Sequence, residues 1–465
     1  MPTLRTNSVP TNSYVRAFVI SVCVAALLAF GCSTRTAKSV PSLNPEAERL
    51  ITEGEDARKA SNFELAEQKF LEAAAQAKTY QAEASFAFAH VGIGLVYGQA
   101  GKHNEAIEKF SLALQYFKSN DLRAAEAEIL KLIGILEDQL GNTSQALSNY
   151  NQALPILDEL ISAATDQEKE RPLLQHRSAT RFKKASAHET LGQFGDAVEY
   201  YRRAAQDDKS IGADDDAGGA LWFAAGIVER ELKDQEQAMG LYAEAVPLLL
   251  AANDRKSAAW ASVSLGKLYI AAGKFPEAKE LLLNSVKLGE SLNLSDVVFS
   301  ANYALATAFD NSGEFEQALP HYEAVIKQIR KGEYKDKNDE IYLYALKRAR
   351  FICQVLGKYD LVIELPGAAS LKYRERSELE NEVETFAQLA DLYSSLGDFE
   401  IAADYLRRVL NIVKEARARS DDARLVDFEA VIFAGINCCK STCHFVVTRV
   451  VSTHGEENKE EARKR

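Results

Sequence analysis

Near the end of the chain, Cys438, Cys439, Cys443 and His444 fall within seven residues. Thiolates and an imidazole are a zinc ligand set, but four ligands this crowded do not match the paired Cys-x-x-Cys spacing that wraps a tetrahedral ion. Two other readings of "INCCKSTCHFVVTRVV" (436–451) stand beside metal binding. One is disulfide pairing in an oxidising compartment, with a cysteine left over. The other is an end that does not continue the body of the chain. Metal binding fits least well of the three. "GIGLVYG" (92–98) invites comparison with a phosphate loop but lacks the G-x-G-x-x-G spacing, so close helix packing explains it better. "ADDDAGG" (213–219) lacks the ligand spacing and distal glutamate of a calcium loop; acids at the positive end of a helix dipole account for it. His90, His103, His176, His188, His321, His444 and His454 are scattered, with no H-E-x-x-H and no G-x-S-x-G elsewhere. Nothing reads as an active site, so the expectation is a protein that is not an enzyme and needs no metal or cofactor.

The elements that would position such residues are helical. Alanine, leucine, glutamate and lysine dominate from Glu46 onward, and apolar residues make up 47% of the 465, enough to bury a core. The formal charge is −12, and no acid precedes Glu46. Without residues 1–31, which carry Arg5 and Arg16, it is −14. Nucleic acid and anionic lipid are therefore poor partners for the body, and the acidic surface biases it toward basic ones.

A repeat runs through that body. "NFELAEQKFLEAA" (62–74), "KHNEAIEKFSLAL" (102–114) and "NTSQALSNYNQAL" (142–154) place Ala66, Ala106 and Ala146 at one fixed interval. Phe70, Phe110 and Tyr150 follow four residues on, then Ala73, Ala113 and Ala153. The pattern returns at Ala197-Tyr201-Ala204, Ala238-Tyr242-Ala245, Ala278-Leu282-Ser285, Ala318-Tyr322-Val325 and Ala402-Leu406-Val409. Preceding blocks carry a small residue (Gly94, Gly266, Ala306, Ala390), an aromatic three on (Tyr97, Tyr269, Phe309, Tyr393) and a glycine four after that (Gly101, Gly273, Gly313, Gly397). Small residues let two helices approach, an aromatic fills the gap, and glycine takes the left-handed cap cheaply. One such hairpin cannot bury its own apolar face, but a stack can.

This order of small residue, aromatic, glycine, alanine, aromatic and alanine resembles the tetratricopeptide repeat (TPR) over about residues 46–416. The resemblance implies an all-α, right-handed superhelical solenoid of antiparallel helix pairs, with eight to nine repeats. The family unit is about 34 residues, so a period of 40 lengthens each pair by about 9 Å of helix. The interval from Ala146 to Ala197 is longer than one period, and the excess falls in "SAATDQEKERPLLQHR" (162–177), an extended helix pair or an inserted loop. The unit at 343–376 is degenerate: it keeps Gly357 and Tyr359 but puts Pro366 inside its second helix. A capping helix is expected over 417–437 and an irregular tail over 438–465, ending in the solvated "GEENKEEARKR".

In that family the first helix of each pair lines an inner surface that holds a peptide or partner helix. Carried to this chain, the groove comprises Gln99, Lys131, Gln139, Phe182, Phe223, Arg230, Trp260, Lys267, Tyr303 and Asn311. Trp260 has two readings, a groove anchor or a residue packed on the next repeat. The Lys/Asn clamp that some members use for a terminal carboxylate is not recognisable here.

At the N-terminus, Arg16 precedes 14 uncharged, mostly apolar residues, Ala17–Phe30, and then Gly31-Cys32. The run is short for a membrane span, which needs about 20 residues, and fits the apolar region of a signal peptide. The stretch resembles a bacterial lipoprotein signal, which implies removal of residues 1–31, lipidation of Cys32 and a tether over 32–45. Ala29, Phe30 and Ser33 depart from the motif's usual residues, and a signal anchor, a transit peptide or a chance apolar stretch remain alternatives. The function expected from the whole is a protein-binding scaffold tethered to a membrane in the cell envelope, an outer-membrane lipoprotein facing periplasm or surface. A cytoplasmic or helix-anchored regulator using the same groove is the alternative.

Overall fold

The computed structural model describes residues 43–330, 339–358, 379–395 and 397–418, and isolated positions 373, 429, 430, 432, 433 and 436. Among the described residues there are seventeen α-helices and no strand. The N-terminal apolar run, Cys32, Pro366 and the C-terminal cysteines lie outside them, as does most of 417–437.

The chain divides into two units between Ala261 and Ser262. The first carries α1 (Pro45–Lys59), α2 (Phe63–Thr79), α3 (Glu83–Gln99), α4 (His103–Ser119), α5 (Arg123–Gln139), α6 (Thr143–Ala163), α7 (Gln167–Thr190), α8 (Phe194–Ser210), α9 (Asp214–Ile227) and α10 (Gln235–Ala251), with the start of α11 (Arg255–Ala271). The second carries α12 (Phe275–Ser291), α13 (Ser295–Asn311), α14 (Phe315–Arg330), α15 (Asp339–Val355), α16 (Leu379–Ser395) and α17 (Phe399–Arg417). From α1 to α10, successive helices pack as antiparallel pairs, and over α2 to α5 they keep the expected period, because a 17-residue helix plus its short connector makes half of that period.

The two helices of a pair bury different amounts of surface. α4 buries one stripe, Ala106, Phe110, Ala113 and Phe117, and each such phenylalanine is worth roughly 2–3 kcal/mol. α3 is buried almost continuously from Ala84 to Val96, because it lies between its own partner and the second helix of the pair before. A Cβ at Gly94 would come 2.6 Å from Phe110, and one at Gly92 would come 2.3 Å from Phe70 of α2. Hence "GIGLVYG" is a pair of notches for two phenylalanine rings. Tyr97 works differently from the expected gap-filler within its own pair: its hydroxyl donates back to Glu67 of α2, 3.0 Å away.

Connectors turn through a left-handed residue. At Gly101 (φ 75°) the Lys102 N–H reaches Tyr97 O at 2.9 Å, closing α3 with a Schellman turn. Several connectors between pairs make the same turn without glycine, at Gln81, Asp121, Asn253 and Asn293.

Both irregularities in the period have a local cause. α6 and α7 run to 21 and 24 residues, so the excess forms an extended helix pair rather than a loop. Its long ends are held by Arg177, which donates to Asp158 at 2.8 Å and to both carboxylate oxygens of Asp207 at 2.6 and 3.0 Å. The interval from Ala197 to Ala238 is longer than the period by one position, and the additional residue is taken up by a π turn, Val228–Leu232, closing on left-handed Lys233 (φ 57°).

Candidate functional site

First helices leave one row of side chains less buried than the rest. On α7 and α9 that row carries Phe182, Lys183, Trp222 and Phe223, all half-buried. The Phe182 and Phe223 rings meet edge to face at 5.4 Å, and Tyr201 of α8 backs both, at 4.9 and 5.7 Å. Trp222 adds an indole 5.6 Å from Phe223. The sequence reading had Phe182 and Phe223 in the groove, and the structure brings them together; it had not included Lys183 or Trp222.

The other candidates are placed separately. Lys131 is half-buried on α5, its ammonium 2.8 Å from Glu128 Oε2. His176 Nε2 lies 2.9 Å from the same carboxylate, off the line of a hydrogen bond. Burial outweighs the attraction of Glu128 and holds the His176 imidazole below its ordinary pKa. Lys131, despite that carboxylate's own burial, holds Glu128 well below the usual range. Gln99, Gln139 and Asn311 are the final residues of α3, α5 and α13. Arg230 sits in the π turn, half-exposed, its guanidinium folded over Gly226 and 4.0 Å from Glu189 of α7. Trp260 is half-buried on α11.

In the second unit, Lys267 is exposed on α11 and Tyr303 is half-buried on α13. Tyr303 faces Tyr344 of α15 at 6.1 Å. Tyr344 and Phe351, both about two-fifths exposed, were missed by the sequence reading. Of the histidines, His90 packs edge-on against Phe86 at 4.3 Å and His188 stacks on Tyr200 at 5.4 Å. Asp214, Asp215 and Asp216 fill the first turn of α9, as "ADDDAGG" suggested, although the N-cap itself is Ala213. No helix of the described residues is long and apolar enough to cross a membrane, and no three acidic, histidine or cysteine side chains among them are placed to hold a metal.

One contact recurs from pair to pair. Tyr201 donates to Glu189 at 3.3 Å, Tyr242 to Glu229 at 2.9 Å and Tyr322 to Asp310 at 2.9 Å. The acid stands twelve residues before the tyrosine, or thirteen across the π turn. Where the core residue is Phe70, Phe110 or Leu282, the twelfth residue before it is Arg58, Gly98 or Ile270. The buried Tyr150 hydroxyl has no partner, because Asp138, twelve before it, accepts from Thr143 at 3.0 Å instead.

Among solved structures, the chain is similar to a Signal Transduction ATPase with Numerous Domains with a tetratricopeptide repeat sensor from Pyrococcus horikoshii, at 15% identity over 72% of this chain and 53% of that one, TM-score 0.45. The C-terminal part of a TPR repeat-containing protein from Cytophaga hutchinsonii aligns at 13% identity over 60% and 94%, TM-score 0.44. The apo form of the quorum sensor NprR from B. thuringiensis aligns at 19% identity over 61% and 76%, TM-score 0.37. No curated protein matches the chain. A soluble NSF attachment protein (SNAP) model matches residues 174–346. The all-α array of helix pairs also matches tetratricopeptide repeat models in two stretches, residues 85–159 and 385–420.

Proposed function

We propose that this protein is a non-enzymatic scaffold that holds a peptide segment or protein subunit on the solvent-facing row of its first helices. The Phe182–Phe223 edge-to-face pair carries the reading. Two half-buried rings on successive first helices, backed by Tyr201, are rigid and already desolvated on one side. Covering their open side adds apolar burial at little cost in side-chain entropy, which is how aromatic anchors come to contribute about 2 kcal/mol or more each. The test is selection from a random twelve-residue peptide library on the full chain. Peptides recovered on the wild type and lost on the Phe182→Ala/Phe223→Ala double variant, with helicity unchanged, support the reading. Peptides that bind both equally overturn it.

The tether belongs to the same proposal. Cys32, made the new N-terminus by removal of residues 1–31, carries lipid and anchors the array through residues 32–45 to an envelope membrane, in assembly or secretion there. The support is the apolar run with its basic flank and small-residue stop before the thiol. A fatty-acid label with membrane fractionation tests it. Label and attachment both vanish in Cys32→Ala if the proposal holds. Attachment that survives the substitution moves the protein to a helix-anchored or soluble regulator.

A further inference from the structure

Net charge argues for a basic partner, yet the middle of α7 has the opposite character. Between Arg171 and His188, α7 carries five lysines and arginines and no acid, in a chain whose formal charge is −12. Most of these cations are engaged. Arg177 and Arg181 share Asp207, and Lys184 sits 2.6 Å from the Tyr200 hydroxyl and 3.9 Å from its ring centre. Lys183 is different. It is half-buried beside Phe182 and makes no hydrogen bond or ion pair among the described residues. Burial pushes its ammonium below the ordinary lysine pKa and Lys131 pushes it further, against a pull from Asp138. Asp138 is already accepting from Thr143, and Glu128 is held by Lys131. Arg230 is also poorly matched: its nearest carboxylate, Glu189 at 4.0 Å, already accepts from Tyr201, and burial raises the Glu189 pKa.

We infer that this section of the groove selects a segment whose aspartate or glutamate side chains alternate with apolar ones, the carboxylates meeting Lys183 and Arg230 and the apolar groups covering Phe182, Trp222 and Phe223. A half-buried cation without a counter-ion is a cost in the free protein, and a ligand carboxylate removes it. Side-chain carboxylates are favoured over a chain terminus because the two cations belong to different elements, Lys183 to α7 and Arg230 to the π turn that follows α9.

The inference rests on the groove reading above, and the experiment separates their failures. The peptide pool selected on the full chain is sequenced, and its best members are measured by fluorescence anisotropy. The expected pool is enriched in Asp and Glu over the input library. Replacing the peptide's Glu by Gln, or Lys183 by Gln, weakens binding about tenfold, the scale of one charge-assisted contact. The effect shrinks as salt rises. Peptides lost on Phe182→Ala/Phe223→Ala that are neutral or basic, or indifferent to Lys183→Gln, overturn the charge assignment and leave the groove standing. Affinity that tracks a free C-terminus, and disappears on amidation, overturns the side-chain assignment. A pool that binds the double variant equally, or no pool above its background, overturns both.

Discussion

The α7–α9 region of the first unit and the α13–α15 region of the second are built on the same plan and finished differently. In each, a core tyrosine donates to an acid at the end of a first helix, and an arginine of the next first helix approaches that acid. In the second unit the set is closed. Arg348 makes two bonds to Asp310, at 2.6 and 2.5 Å, and lies 4.7 Å over the Phe351 ring. In the first unit it is open. Arg230 stands 4.0 Å from Glu189, on a π turn. The lesson is that the same tyrosine–acid pair is closed into a clasp where an arginine reaches it, as Arg348 does, and is left open where the arginine stands off, as Arg230 does.

Breaking the closed set should have the largest effect. Asp310→Ala leaves Arg348 and the Tyr322 hydroxyl without a buried partner, and is expected to destabilise the second unit by about 3–5 kcal/mol, read by urea denaturation. Glu189→Ala, whose partners are looser, should cost about 1–2 kcal/mol; equal losses at the two sites would erase the distinction.

Asp208 supplies a second contrast, between charges that are matched and one that is not. It is buried on α8, accepts from Ser178 at 2.6 Å, and burial pushes its pKa up to about 7, with Asp216 and Asp207 adding to the rise. The folded carboxyl therefore binds its proton more tightly than the unfolded one, so its contribution is present below the unfolded pKa and is lost as pH rises through about 7. Asp208→Asn should stabilise the protein by roughly 2 kcal/mol at pH 8 and by almost nothing at pH 4. Melting temperatures across that range that differ by a constant would refute the account.

Lys183→Met sharpens the comparison at smaller scale. It replaces an unmatched half-buried cation with an apolar chain of similar length, and should raise stability by up to about 1 kcal/mol while weakening peptide capture. Deleting Glu231 restores an uninterrupted α-helix through the π turn. The expected change in stability is within about 1 kcal/mol, with a larger effect on binding through the displaced Arg230.

What the sequence disclosed follows from which interactions repeat. The stripe Ala106, Phe110, Ala113 and the glycine caps recur at fixed spacing, so the helix pairs and their period were readable. Turns at Gln81, Asp121, Asn253 and Asn293 were not, because no glycine marks them and their left-handed backbone is held by the helices on either side. The candidate row was half readable. The repeat resemblance named Lys131 and Phe182, both half-buried here, but Lys183, one residue beyond Phe182, has no repeat signal to mark it. Which lysine is left without an anion depends on Glu128, a contact within α5, and on the crossing of α7. The tyrosine–acid pairs could have been found by comparing the repeats with one another at a spacing of twelve.

The π turn at Val228–Leu232 acts as an expansion joint. Upstream of it α9 begins half a period after α8, at Asp214 after Phe194, and downstream the same step resumes from Gln235 through Arg255, Phe275, Ser295 and Phe315. A single inserted residue is absorbed within one turn of one helix, so the spacing from Gln235 to Phe315 is unchanged by it. Such an array can drift in length at that point while Gly266 of α11 still meets Leu282 of α12.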